Sequence, residues 1–141
     1  MKKLIIFPLA FFLLTSCSKD KDKSCKLDAA SLSGSYRVTG AKYKANALAT
    51  ETDYYSQLYA DACERDDIVT LNSNGTYTFT DAGVKCTPPG DDTGTWSFSG
   101  NTLTIDGVAE NVDNFNCSAL TISASNIVNT GDKLTLTLTK Q

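Results

Sequence analysis

Apolar and polar residues take turns along most of this chain. From Leu32 onward the repeat is two. Tyr36 and Val38, Val69 and Leu71, Tyr77 and Phe79, Trp96 and Phe98, Leu103 and Ile105, and Leu120 and Ile122 each bracket one residue, and Leu134, Leu136 and Leu138 alternate with threonine. Such a period gives strands with one dry and one wet face, as in a mainly antiparallel sheet. Asn72-Ser73-Asn74-Gly75 separates two of these runs, and an Asn-Gly pair tolerates the positive φ that a tight hairpin demands. Gly100-Asn101 predicts another hairpin.

Two stretches break the rhythm. Ala45 to Ala62 is rich in alanine and carries Tyr54, Tyr55, Leu58 and Tyr59. Their spacing of three and four predicts one turn or more of amphipathic helix beginning near Asp53, an insert that packs on the β domain or covers one end of it. Lys85 to Thr93 contains Pro88-Pro89-Gly90 and two aspartates, which reads as a loop.

The N-terminus follows another pattern. Met1-Lys2-Lys3 precedes an apolar run from Leu4 to Leu14. As a helix its residues reach only about 16 Å, against about 30 Å for a bilayer core, so the run is not a permanent span. Leu14-Thr15-Ser16-Cys17 then resembles the lipobox of bacterial lipoproteins. That resemblance implies that residues 1–16 are a removed signal peptide and that Cys17 carries the lipid as first residue of the mature chain. An ordinary secretory signal with a cysteine near the cut is the competing reading. With acyl chains, each buried methylene contributes roughly 0.8 kcal/mol and two chains give stable anchoring. Ser18 to Lys26 mixes lysine, aspartate and serine with almost no apolar content, so residues 17–31 read as a lipidated flexible tether and residues 32–141 as the folded domain. Acidic residues just after a lipidated cysteine also resemble the surface-export signals of some Gram-negative lipoproteins, and a plain solvated linker accounts for them equally. The expected location is the bacterial cell envelope, at the outer membrane, facing the periplasm or the exterior.

Removing residues 1–16 leaves 125 residues, enough for one domain that buries roughly two thirds of its unfolded surface. Without Lys2 and Lys3 the chain holds 11 basic and 16 acidic side chains, a net charge of −5. That balance disfavours nucleic acid and anionic headgroups as partners of the folded part. Five cysteines occur; lipid on Cys17 accounts for the odd one, and export to an oxidising compartment favours disulfides among Cys25, Cys63, Cys86 and Cys117. Three pairings are possible, which spacing alone does not settle. Cys63 with Cys86 is the favoured pair because it flanks a predicted hairpin, and Cys25 with Cys117 because it ties the lead-in segment to the wall of the domain. Neither a CxxC pair nor a histidine is present to build a zinc site.

The lack of histidine also removes the commonest general base and the Ser-His-Asp and Cys-His arrangements. Catalysis would have to rest on carboxylates, and Asp61, Glu64, Asp66 and Asp67 with Asp91 and Asp92 are the candidates. Solvated loop ends and turn capping are the commoner use of such residues. No enzyme activity, metal or cofactor is expected.

Leu32-Ser33-Gly34-Ser35-Tyr36 resembles the opening of lipocalin-like domains, and the similarity continues through Cys63-Glu64-Arg65-Asp66-Asp67, Asn74-Gly75-Thr76-Tyr77, Cys86, Gly94-Thr95-Trp96 and Leu103-Thr104-Ile105. It covers roughly Leu32 to Lys140, and Tyr36 stands where the family usually shows tryptophan. What the resemblance implies is an all-β, antiparallel, up-and-down barrel of about eight strands with a short helical insert. Such a barrel holds one small ligand or fills itself with side chains. Tyr36, Tyr77, Phe79, Trp96 and Phe98 are the candidate lining for a small apolar ligand, a filled core being their commoner use. Tyr54, Tyr55 and Tyr59 are the candidates for recognising an envelope protein, with packing onto the barrel end as their competing use. A filled barrel serving as a structural or interaction module is the alternative function. Cys17→Ala is expected to move the protein from the membrane to the soluble fraction; unchanged fractionation contradicts the anchor.

Overall fold

Alternating strands become a barrel because the first is long enough to be held on both edges. The computed structural model describes residues 25–141; the expected signal peptide at residues 1–16, the expected lipid site Cys17 and residues 18–24 of the expected tether lie outside the described residues. β1 (Gly34–Lys44) pairs antiparallel with β9 (Lys133–Lys140) from Tyr36↔Lys140 to Lys44↔Lys133. Between them run β3 (Ile68–Leu71), β4 (Thr76–Thr80), β5 (Asp92–Ser99), β6 (Thr102–Ile105), β7 (Val108–Phe115) and β8 (Ala119–Ser125), each paired antiparallel with its neighbour. These eight strands close on themselves, as the resemblance implies. A two-residue strand, β2 (Thr52–Asp53), adds to the outer half of β1 through Lys42↔Asp53 and Tyr43↔Thr52.

Closure gives the inner face a single apolar volume. Tyr36, Leu71, Tyr77, Trp96, Leu103, Val112, Leu120, Ile122 and Leu138 are buried there together with Leu32. At one end α1 (Ala29–Leu32) lies across the barrel and forms its floor; Asp28 caps it by accepting from the Ser31 N–H at 2.8 Å. The Tyr36 hydroxyl, buried where the family usually has tryptophan, donates to the Leu32 carbonyl at 2.7 Å, which supplies the partner that a buried phenol requires. The Asn74-Gly75 hairpin forms as expected, with Gly75 at φ 84°.

The sulfur pairs are Cys25–Cys117 and Cys63–Cys86. Cys117 sits in the turn between β7 and β8 on the floor side, so the first bridge holds the lead-in segment there. Residues 25–31 are thereby fixed to the barrel, with Leu27 packed against the core. The second bridge joins the connection before β3 to the one after β4, at the opposite end. In the chain-entropy account these loops contribute roughly 3 kcal/mol for the shorter and roughly 5 kcal/mol for the longer.

The insert carries its expected turn of helix, beginning two residues after Asp53, and one strand differs from the sequence expectation. Asp53 belongs to β2, where it continues the sheet and its Oδ1 accepts from the Tyr55 N–H at 3.0 Å; the helix of the insert, α2 (Tyr55–Leu58), is a single turn. β7 was not expected at all, because its register slips between Val112 and Asn114 and the bulge breaks the period-two signal. Leu120→Ala is expected to lower the unfolding free energy by about 3 kcal/mol in urea or guanidinium melts, since the side chain is 1 % exposed and its removal leaves a cavity between β8 and β9.

Candidate functional site

The end opposite the floor is built by a gap in the pairing of β1. β3 accompanies β1 only from Gly34 to Tyr36, and β2 takes over only at Lys42. In between, the register of β1 slips between Val38 and Gly40 and its carbonyls face no strand on that edge. The insert fills the breach. The Tyr55 hydroxyl donates to the Val38 carbonyl at 3.2 Å and the Tyr54 N–H donates to the Ala41 carbonyl at 2.9 Å. Tyr54 packs on Tyr43, and Tyr55 on Tyr59, each pair with ring centroids 5.2 Å apart. All three insert tyrosines are half-buried against the barrel.

Behind them runs a 3₁₀ turn at Ala62–Glu64, closed by a capping box in which the Asp61 N–H donates to Glu64 Oε2 at 3.2 Å. The connection after β4 comes across from the other side and is held by acidic side chains, one of them buried. Asp81 is fully buried and accepts from the Cys86 N–H at 3.0 Å and the Gly90 N–H at 3.3 Å. Asp67 accepts from the Ala82 N–H, and Asp66 from the Val84 N–H. Most of the acidic residues singled out from sequence therefore cap backbone groups.

Where these two connections meet, an open cleft of about 310 Å³ is lined by Leu58, Tyr59, Glu64, Asp67, Phe79, Cys86, Pro88 and Gly90. It continues inward to a gap of about 20 Å³ bounded by Tyr36, Val38, Val69 and Phe79, room for about one water. Beyond that, the barrel is side chain. A second, wider groove of about 470 Å³ lies at the floor beside α1 and is lined by Trp96, Phe98 and mostly small residues; none of its lining groups is ionisable. The expected ligand set is thus divided: Tyr36 and Phe79 border the mouth cleft and its inner gap, and Trp96 and Phe98 border the floor groove. Tyr77 borders neither; its hydroxyl donates to Asp106 Oδ2 at 2.6 Å. That hydrogen bond, seconded by burial and the Asp106 charge, pushes the Tyr77 hydroxyl up to about 12.

Electrostatically the mouth is acidic. Burial pushes the Tyr59 hydroxyl up to about 12, helped by the charges of Tyr55, Glu64, Asp67 and Glu110. The Asp67 carboxyl is raised by burial and by neighbouring Asp81, Asp66 and Glu64, while the Ala82 N–H acts the other way. Glu110, which sequence reasoning missed, pairs across the sheet with the inward-facing Leu103. Burial raises its carboxyl, and its Oε2 is buried with no hydrogen-bond partner among the described residues. Only the strand pairing reveals that it faces inward, since β7 carries no clear alternation.

The profile of the lipocalin-like domain matches residues 32–136. The chain belongs to the lipocalin-like family. A search of the curated proteins returns no match. Like the fold, the family assignment agrees with the resemblance read from sequence. Lipocalin-like barrels are ligand-holding or self-filled, and here the deep interior is filled while the mouth is not.

The last connection of the mouth, between β8 and β9, is drawn together by one carboxylate. Asp132, 1 % exposed, accepts from the N–H groups of Ile127, Val128 and Asn129 and from the Tyr43 hydroxyl, at 2.7 to 2.9 Å. Burial alone would raise its carboxyl, but these four donors outweigh it and bring it from 3.8 down to about 2. A depressed folded-state value means that the stabilisation is complete above the unfolded value and is lost as pH falls through the folded one. The protein is expected to lose stability between about pH 4 and pH 2. Asp132→Asn should flatten that part of the profile in thermal melts; an unaltered profile contradicts the assignment.

Proposed function

We propose that this lipocalin-like protein is a non-enzymatic binding protein, lipid-anchored through Cys17 in the bacterial cell envelope, which takes a small ligand at the mouth of its barrel. The observation that carries this reading is the cleft of about 310 Å³ between the insert and the connection after β4. It has the size of a small-molecule site, apolar and aromatic walls, and a few polar groups to orient what enters. Its two flanking connections are cross-linked by Cys63–Cys86, so the cleft is preformed and binding need not order it. The filled interior below it restricts the ligand to the rim.

A second reading is favoured by the distribution of exposed apolar side chains. Leu48, Leu58, Val84, Val108, Ile127 and Val128 are all exposed. Each lies in, or directly beside, a connection on the mouth side of the barrel. An apolar rim of this kind suits an envelope protein that closes over the mouth.

Native mass spectrometry of the full chain purified from its own host separates the two. A retained small molecule is expected, and Gly90→Leu should abolish it. A Cβ at Gly90 meets Phe79 at an ordinary 3.8 Å, so the larger side chain fills the cleft without a clash at its root. Retention of a protein subunit in place of the small molecule selects the second reading, and a ligand that survives Gly90→Leu contradicts the mouth as its site.

A further inference from the structure

The lining of the mouth cleft carries negative charge and no positive charge. Glu64 and Asp67 form part of its wall, and Glu110 stands close enough for its charge to act on Tyr59 in the same wall. Ion pairs among the described residues join Lys26 to Asp28, Lys42 to Glu51 and Lys133 to Asp113; none reaches these three carboxylates. The nearest arginine in sequence is committed elsewhere, since Arg65 donates through Nε to the Tyr59 carbonyl at 2.9 Å and through Nη2 to the Ala60 carbonyl at 3.2 Å. Lys85 donates to the Asp81 carbonyl. Two aromatic rings, Tyr59 and Phe79, complete the wall.

Resting on the reading of this cleft as a ligand site, we infer that it is built for an organic cation: an ammonium group carried on a short apolar body. Three classes of ligand compete for the space, and the lining decides between them. An anionic amphiphile such as a fatty acid would bring its carboxylate against Glu64 and Asp67 with no lysine or arginine to receive it, a like-charge contact at low dielectric. A neutral ligand would displace water from Glu64 and Asp67, each of which has one backbone N–H, of Asp61 and of Ala82, to set against that loss. An ammonium group satisfies both kinds of wall, by ion pairing to the carboxylates and by cation–π contact with the rings. A bare metal ion is the wrong shape, because no three acidic groups among the described residues converge closely enough to hold one. The raised carboxyls of Asp67 and Glu110 fit this arrangement, since a cation entering the cleft would draw both back down.

The test titrates the full chain with hexyltrimethylammonium, hexanoate and 1-hexanol, following the amide shifts of Tyr59, Asp67 and Phe79. The ammonium probe is expected to bind saturably at these residues, at least about tenfold tighter than the other two. That preference should shrink with added salt. Asp67→Asn and Glu110→Gln should each erode it while the melting profile shows the variants folded. Equal or tighter binding of hexanol or hexanoate at the same residues overturns the cation assignment and leaves the cleft as a ligand site. If no probe shifts these residues, both fall together.

Discussion

The seam between β1 and β9 is the constraint on which the rest of this molecule depends. A sheet of eight strands with open edges would expose two rows of unpaired N–H and C=O groups and divide its apolar face between neighbours. Pairing Tyr36↔Lys140 through Lys44↔Lys133 removes both edges and turns seven other strand pairings into one enclosed core. The seam runs through an irregularity in β1 between Val38 and Gly40, just past the point where β1 parts from β3. One end of the barrel wall is left incomplete as a result.

That incompleteness is where the polypeptide invests its irregular residues. The segment from Ala45 to Asp67 supplies donors to the stranded β1 carbonyls, stacks its tyrosines against Tyr43 and against each other, and brings Glu64 and Asp67 to the rim. The connection after β4 is fixed opposite it by Asp81 and by sulfur. A preformed cleft follows from two loops that are each over-determined by local hydrogen bonds and then joined covalently. Catalytic and binding groups of many proteins sit on loops held by a rigid scaffold; here the same division runs between a filled barrel and a braced rim.

Much of the fold is legible in the sequence. Strands with clean alternation, such as Tyr77-Thr78-Phe79 and Leu134 to Leu138, were readable because each has one face on the core. The hairpin at Asn74-Gly75 is readable from turn chemistry, and the cysteine pairs that form are the favoured ones of the three pairings that spacing alone left open. β7 escaped because its inner residues, Glu110 and Val112, include a carboxylate and are followed by a bulge. Glu110 was illegible for the same reason: its meaning lies in facing Leu103, a relation of register rather than of sequence neighbours. Asp81 and Asp132 were not singled out from sequence, since burial by one's own loop leaves no periodic trace. The five aromatic residues expected to share one pocket occupy three settings, because the barrel is taller than a single layer of side chains.

The Cys25–Cys117 bridge gives the molecule a top and a bottom in space. Cys25 is pinned to the turn that precedes β8, beside the helix that seals the barrel. Seven residues lie between it and Cys17, a span of at most about 28 Å when fully extended. In the lipid-anchored form proposed above, the tether joins the sealed base, so the acidic rim is the end of the barrel farther from the point of attachment.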